Sequence, residues 1–227
     1  MEPVSINAIA HIRSPFPQKF GIPRQSNIIA GITATVVFEP EYRNADALRG
    51  IEEFDYLWLV WRFSANERKG WSPTVRPPRL GGNRRMGVFA TRSSFRPNAL
   101  ALSSVRLLRV EWQSDEGPLL HIAGADLMDG TPIYDIKPYL PYTDSHPEAR
   151  SGFAPVAAER LLEVDCPPQM LEVVDAPLRE PLLDILSHDP RPSYHHSDER
   201  EYGMSFDRYE VHFSVLDDKR LVVKKIF

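Results

Sequence analysis

Six short runs fill the first two thirds of the chain, and together they leave little room for any fold but a β one. They are VSINAIAHI (4–12), ITATVVF (32–38), FDYLWLVWRF (54–63), MGVFATRS (86–93), NALALSSVRLLRVEW (98–112) and PLLHIAGADLM (118–128). Each is rich in β-branched and aromatic residues, and several alternate apolar with other side chains. Turn residues separate them, including Gly117-Pro118 and Asp129-Gly130. One helix fits, around Asn44 to Gly50. Many short strands with little helix between them predict an antiparallel barrel or sandwich and argue against a doubly wound α/β sheet.

Beyond this region SHPEARSGFAPVAA (145–158) reads as a linker. A smaller α+β unit is expected after it. LLEVDC (161–166) fits a strand. PLREPLLDILSHDP (177–190) fits a helix with Leu182, Leu183, Ile185 and Leu186 on its apolar side and a stop at Pro190. DRYEVHFSVL and KRLVVKKIF flank Asp217-Asp218 as a hairpin, with Tyr209, Val211, Phe213 and Val215 alternating toward one face. The expected division is residues 1–146 and 147–227.

Charge is unevenly placed. The net charge is −4, yet between Asn66 and Leu100 stand Arg68, Lys69, Arg76, Arg79, Arg84, Arg85, Arg92 and Arg96 against the single acid Glu67. Such a segment suits an anionic partner, whether phosphate, carboxylate or nucleic acid; it also suits a solvated face paired with acids elsewhere. The single cysteine, Cys166, allows no intrachain disulfide, and no apolar leader follows Met1, which predicts a reducing, cytoplasmic setting. No apolar run nears the roughly 20 residues of a membrane span, so a soluble protein is expected.

Familiar motifs fail. In GGNRRMGV, Gly82 and Gly87 bracket four residues as in a phosphate loop, but Val88 and Phe89 stand where Lys and Ser/Thr belong. No G-x-G-x-x-G occurs, so a Rossmann nucleotide site has no support. His188, His195, His196 and Asp198 lack a second cluster to complete a metal sphere, so no metal is expected. Cys166 has no nearby His to activate it as a nucleophile.

Three segments carry chemistry that structure alone does not require. FGIPRQ (20–25) places Arg24 and Gln25, both planar donors, behind the stiff Pro23. PTVRPPRLGGNRRMGVFATRSSFRPN (73–98) holds arginines on a proline-stiffened loop, which lowers the entropy lost on binding an oxyanion. ADLMDGTPIYDIKPYLPY (125–142) sets Asp135 two residues before Lys137, so on a strand both face one side. Each also has a plain structural reading: exposed loop, pinned crossover, and an ordinary Asp-Gly turn at Asp129.

KFGIPRQ, RPPRLGGNRRMGVFATRSSFRPN, DLMDGTPIYDIKPYLPY and HDPRPSY together resemble the TsaA-like family, and within it the bacterial TrmO branch. The resemblance spans nearly the whole chain in order. It implies a non-Rossmann β-barrel that binds S-adenosylmethionine, works as a homodimer and methylates N6 of threonylcarbamoyladenosine beside the anticodon of tRNA. The implied cofactor contacts are Pro23, Arg24, Gln25, Ser64, Ala65, Arg92, Leu102, Asp126, Leu127, Met128 and Asp129. Relatives often carry a histidine where this chain has Ser64, so side-chain chemistry there is not carried over. A base is needed for the N6 proton; Asp135 is the first candidate and Tyr139 the second. Arg96, Lys137 or Arg191 would meet the substrate carboxylate, and the remaining arginines the tRNA phosphates. The competing class is a barrel that binds S-adenosylmethionine or RNA as a sensor or adaptor without catalysis.

Overall fold

Along the chain of the computed structural model run β1 (Ala10–Arg13), β2 (Thr33–Phe38), β3 (Tyr56–Arg62), β4 (Thr74–Val75), β5 (Met86–Gly87), β6 (Leu100–Glu111), β7 (Leu119–Ala123) and β8 (Pro132–Pro138). After them come α1 (Pro141–Asp144), β9 (Glu163–Asp165), α2 (Pro168–Leu171), α3 (Ala176–Ser187), β10 (Glu201–Phe206), β11 (Tyr209–Leu216) and β12 (Arg220–Ile226). The structure describes residues 2–66, 70–77, 80, 83–153, 161–191, 197–198 and 200–227. Arg68, Lys69, Pro78, Arg79, Gly82, the 154–158 part of the expected linker, the 192–194 part of HDPRPSY, His195 and His196 lie outside the described residues.

Two units divide the chain: Met1–Ser14 with Gln25–Ser72 and Ser94–Ser145, and Pro15–Arg24 with Pro73–Ser93 and His146–Phe227. The first is the expected barrel. Its six strands close in the order β1-β2-β7-β6-β3-β8, every neighbour antiparallel. Strand alternation decides what fills it. Leu57, Leu59 and Trp61 of β3 point inward with Ile12, Val36, Val105, Leu120, Ile122 and Ile133, all buried in one cluster. A barrel of this strand number has no lumen left once such side chains occupy it.

A bulge sets the outer wall. Val60 pairs with Asp135 but Trp61 pairs with Ile133, so Tyr134 is the extra residue of β8. The extra residue lets Ile133 and Ile136 both reach the core while Asp135 and Lys137 face out.

In the second unit β10-β11-β12-β9 form a sheet, with β9 parallel to β12. Tyr209, Val211, Phe213 and Val215 are buried as the alternation requires. The hairpin turns at Asp217 and Asp218, both in the left-handed region (φ 52° and 51°), and Lys219 N–H donates to Leu216 O at 3.0 Å. Two consecutive positive φ values are the type I′ geometry that suits the strand twist. The α3 helix buries Leu182, Ile185 and Leu186, and also Pro181, while Leu183 is only half-buried.

Two expectations need correction. The helix around Asn44 to Gly50 is a single 3-10 turn, Ala45–Leu48, which the Asn44 side chain caps by accepting from Asp46 N–H at 2.9 Å. MGVFATRS is not one strand: only Met86–Gly87 pairs, and Val88–Ala90 turns as a 3-10 helix.

Candidate active site

The outer wall of the barrel gathers several of the predicted residues. Val60 lies between Leu102 of β6 and Asp135 of β8 in one cross-strand row. One step along β3, Trp58 lies between Ser104 and Lys137. Asp135 Oδ1 accepts from Ile136 N–H at 3.0 Å, and Oδ2 meets Lys137 Nζ at 2.9 Å. Leu102 is 53% exposed, so its apolar side chain lies on the outer wall. Beyond the end of β3, Ser64 and Ala65 open a 3-10 turn, Ser64–Asn66. Phe63 N–H donates to Ala99 O at 3.0 Å, which fastens this end of β3 to the Arg96–Ala99 turn. Ala99 itself is held at φ 49°, a left-handed conformation an alanine adopts only under constraint.

Tyr139 occupies the opposite end of β3. Its N–H donates to Tyr56 O at 2.9 Å, and its ring packs against Tyr56 (6.2 Å between centroids) and Trp58 (5.5 Å). Asp144 closes this cluster by accepting from Trp58 Nε1 at 2.8 Å and from Leu140 N–H at 2.9 Å. The two candidate bases are therefore separated: Asp135 sits opposite Val60, Tyr139 beside Tyr56, four residues or about 13 Å along the strand.

The DLMD element resolves into unlike roles. Asp126 is half-buried, and its Oδ1 accepts from Ser103 Oγ at 2.6 Å. Ser103 Oγ in turn accepts from Trp61 Nε1 at 3.0 Å. Leu127 is fully buried in the barrel core, and its carbonyl accepts from Ser14 Oγ at 2.8 Å. Met128 O closes the turn by accepting from Thr131 N–H and Oγ1. Asp129 Oδ1 accepts from Ser14 N–H at 3.0 Å, ahead of Gly130 at φ 72°. Nearby, Asn27 ties the loop after Gln25 to the barrel: its N–H donates to Gly124 O at 2.9 Å and its Nδ2 to Ser104 O at 2.9 Å.

In the second unit, FGIPRQ is anchored by its first two residues. Phe20 stacks on Phe213 and Tyr202, both 6.4 Å away. Gly21, at φ 95°, lies so close to Met204 that a Cβ would stand 2.5 Å from its Sδ. Pro23 is half-buried and Arg24 exposed, while Gln25 belongs to the first unit. The loop carrying exposed Arg92 hangs from buried Val88, whose N–H donates to Pro73 O at 3.0 Å. Thr91 Oγ1 donates to Val88 O at 2.9 Å and accepts from Ser93 N–H at 3.3 Å, bracing Arg92 on both sides. Nearby, Arg85 Nη1 donates to Thr74 Oγ1 at 3.4 Å.

Arg191 stands apart from an exposed substrate contact. It is 4% exposed. Asp189 grips it through Nε (2.8 Å) and Nη2 (2.9 Å), and Asp218 accepts from Nη2 at 3.0 Å. The Asp189 hydrogen bonds hold the guanidinium even further into its charged form. At the half-buried Cys166, burial and then the neighbouring Asp165 charge push the thiol up. No group of three or more His, Cys, Asp or Glu among the described residues is arranged to hold a metal.

Residues 11–145 match the family model described as the tRNA-methyltransferase O N-terminal domain, and residues 156–226 match the TrmO C-terminal domain. The chain belongs to the TrmO family. An Escherichia coli member named tRNA (adenine(37)-N6)-methyltransferase is 39% identical over 225 residues, covering 96% of this chain and 95% of its own. An Eikenella corrodens protein of the same name is 45% identical over 172 residues, covering 71% and 91%. Crystal structures of TrmO superpose with a TM-score of 0.79, one at 31% identity over 99% of both chains and one from Pseudomonas aeruginosa at 29% over the full length of both.

Spacing alone pairs Asp135 with Lys137, and FGIPRQ by itself singles out Arg24 and Gln25; the other candidate residues rest on resemblance. Neither spacing nor resemblance points to Trp61, Ser103 or Asn27. Ser103 was the findable one, because it is a hydroxyl at an inward position of an otherwise apolar alternation in β6.

Proposed function

We propose that this chain transfers a methyl group from S-adenosylmethionine to N6 of an adenosine in tRNA. The chain is a tRNA (adenine-N6)-methyltransferase. The observation that carries this reading is the match of both of its parts to TrmO over nearly the whole length. A methyl donor with carboxylate, ammonium and apolar parts fits the residues present. Arg24, Gln25 and Arg92 suit the carboxylate, the half-buried Asp126 suits the ammonium, and exposed Leu102 offers an apolar surface. Pro23, Ser64, Ala65 and Met128 would contribute backbone contacts; Leu127 and Asp129 would act by shaping the turn they already hold.

Bound S-adenosylmethionine supplies the electrophilic methyl. The chain supplies position and a proton acceptor. Asp135, on the outer wall in the same row as Leu102, takes the N6 proton, and Lys137 steadies its carboxylate. Tyr139, set among aromatic rings, has the surroundings of a stacking residue more than of a base. The adenosine is threonylcarbamoylated and lies next to the anticodon; its carboxylate is met by Arg96 or Lys137. Arg191 serves the substrate indirectly by shaping the turn at Asp189. Residues 1–146 bind the donor and 147–227 contact tRNA. The protein works as a homodimer in the cytoplasm. No described helix is long and apolar enough to cross a membrane.

The test is incubation with methyl-labelled S-adenosylmethionine and tRNA from cells lacking the activity. Label is expected at N6 of the modified adenosine. S-adenosylmethionine binding without label in tRNA would support a sensor instead.

A further inference from the structure

We propose that Ser103 and Trp61 are positioning residues that aim the Asp126 carboxylate at the methyl donor. This rests on the reading that Asp126 contacts S-adenosylmethionine. Asp126 lies beyond the last β7 residue paired to its neighbours, Ala123, so no strand ladder orients it. From the side it accepts a hydrogen bond from Ser103, a residue only 2% exposed on the inner face of β6.

Chemistry gives the chain of bonds one direction. An indole N–H can only donate, and Trp61 Nε1 donates to Ser103 Oγ at 3.0 Å. That contact uses an acceptor lone pair of Ser103. Its only proton is then aimed at Asp126 Oδ1, 2.6 Å away. Trp61 is itself fixed: its side chain is buried in the barrel core, and Phe63 packs edge-on against it at 4.6 Å. Polarisation along Trp61, Ser103 and Asp126 strengthens each bond, and the Trp61 and Ser103 ends of the chain are buried. A rigid barrel side chain thus holds the rotamer of a loop carboxylate. Such support matters because a misaimed carboxylate loses much of its attraction for a cation.

Calorimetric binding of S-adenosylmethionine to the full chain tests this, with Ser103→Ala, Ser103→Thr, Trp61→Phe, Asp126→Asn and the Ser103→Ala/Asp126→Asn double variant. Losing a hydrogen bond to a charged group predicts about a tenfold rise in Kd for Ser103→Ala. Ser103→Thr, which keeps the hydroxyl, recovers affinity to within about twofold, and Trp61→Phe weakens it by about threefold. In the Asp126→Asn background, Ser103→Ala adds little. An equal further loss in that background would mean that Ser103 acts only through stability, and would overturn the proposal. So would unchanged affinity in Ser103→Ala while Asp126→Asn binds weakly, which leaves the Asp126 contact standing. Unchanged affinity in Asp126→Asn would instead remove that contact and the proposal with it. If Ser103→Ala does not fold, Ser103→Thr and Trp61→Phe decide: loss with Trp61→Phe and retention with Ser103→Thr supports the relay, and affinity unchanged by Trp61→Phe overturns it.

Discussion

Leu102 and Asp135 stand on different strands, yet both are register partners of Val60, one on each side of it. Two strand spacings of about 4.8 Å put them roughly 10 Å apart on one wall, the scale of a bound nucleotide and its target.

That row predicts a division of effects. Asp135→Asn should lower turnover by about 10²- to 10⁴-fold with S-adenosylmethionine affinity nearly unchanged, as expected for a lost base. Leu102→Ala should weaken S-adenosylmethionine binding with little change in melting temperature, because its side chain is more than half exposed. Single-turnover kinetics and calorimetry separate the two; equal loss in both quantities for Asp135→Asn would remove it as the base.

Arg191→Ala should cost stability. Truncation leaves Asp189 and Asp218 facing each other without their cation. Breaking a buried ion pair costs about 3–5 kcal/mol, and the partial exposure of both aspartates lowers the expectation to about 2–3 kcal/mol. Urea unfolding measures it. An unchanged midpoint with lost tRNA methylation would restore Arg191 as a direct substrate contact. Arg191→Lys should recover little, because a single ammonium cannot reproduce the two-pronged grip on Asp189.

Gly21→Ala should destabilise more than Gly130→Ala. Both glycines have positive φ, 95° and 72°. At Gly130 nothing lies within 4 Å of an added Cβ, so only the conformational cost of about 1–2 kcal/mol applies. At Gly21 the Met204 side chain must also move aside. Thermal melts of the two variants give the comparison, and equal losses would show that Met204 yields freely.

Acid should remove one surface contribution. His121 and then Arg109 hydrogen-bond Glu111 and hold its carboxyl below the ordinary glutamate range. A lowered folded-state pKa contributes stability that is complete above the unfolded value, about 4.3, and is lost as pH falls through the folded one. The melting-temperature gap between the wild type and Glu111→Gln should therefore be steady near neutrality and close below about pH 4. A gap that widens on acidification would contradict the assigned sign.

Local patterns carried far where one neighbour decides an outcome. The β11–β12 hairpin was legible because alternation and an Asp-Asp turn agree. Asp135 and Lys137 were legible as a pair because a strand places alternate residues on one face. MGVFATRS misled because Val88 is buried as a loop anchor: its apolar character serves a turn, and only Met86–Gly87 pairs. Phe20 looked like part of an exposed loop, while its ring stacks on strands nearly two hundred residues later in the chain.

The amino-acid sequence by itself determined the β class, the hairpin, the polar pair on one strand face and, through resemblance, the family. Those properties are encoded in neighbouring residues or in long runs of unusual composition read as strings. Only the tertiary structure decided which residues meet. The bulge at Tyr134 turns Asp135 outward beside Val60. Closure of the barrel brings Trp61 and Ser103 to Asp126. Folding of the last sheet draws Arg191 inward to Asp189 and Asp218. Register, closure and burial depend on partners far apart in the chain, and composition and spacing do not specify those pairings.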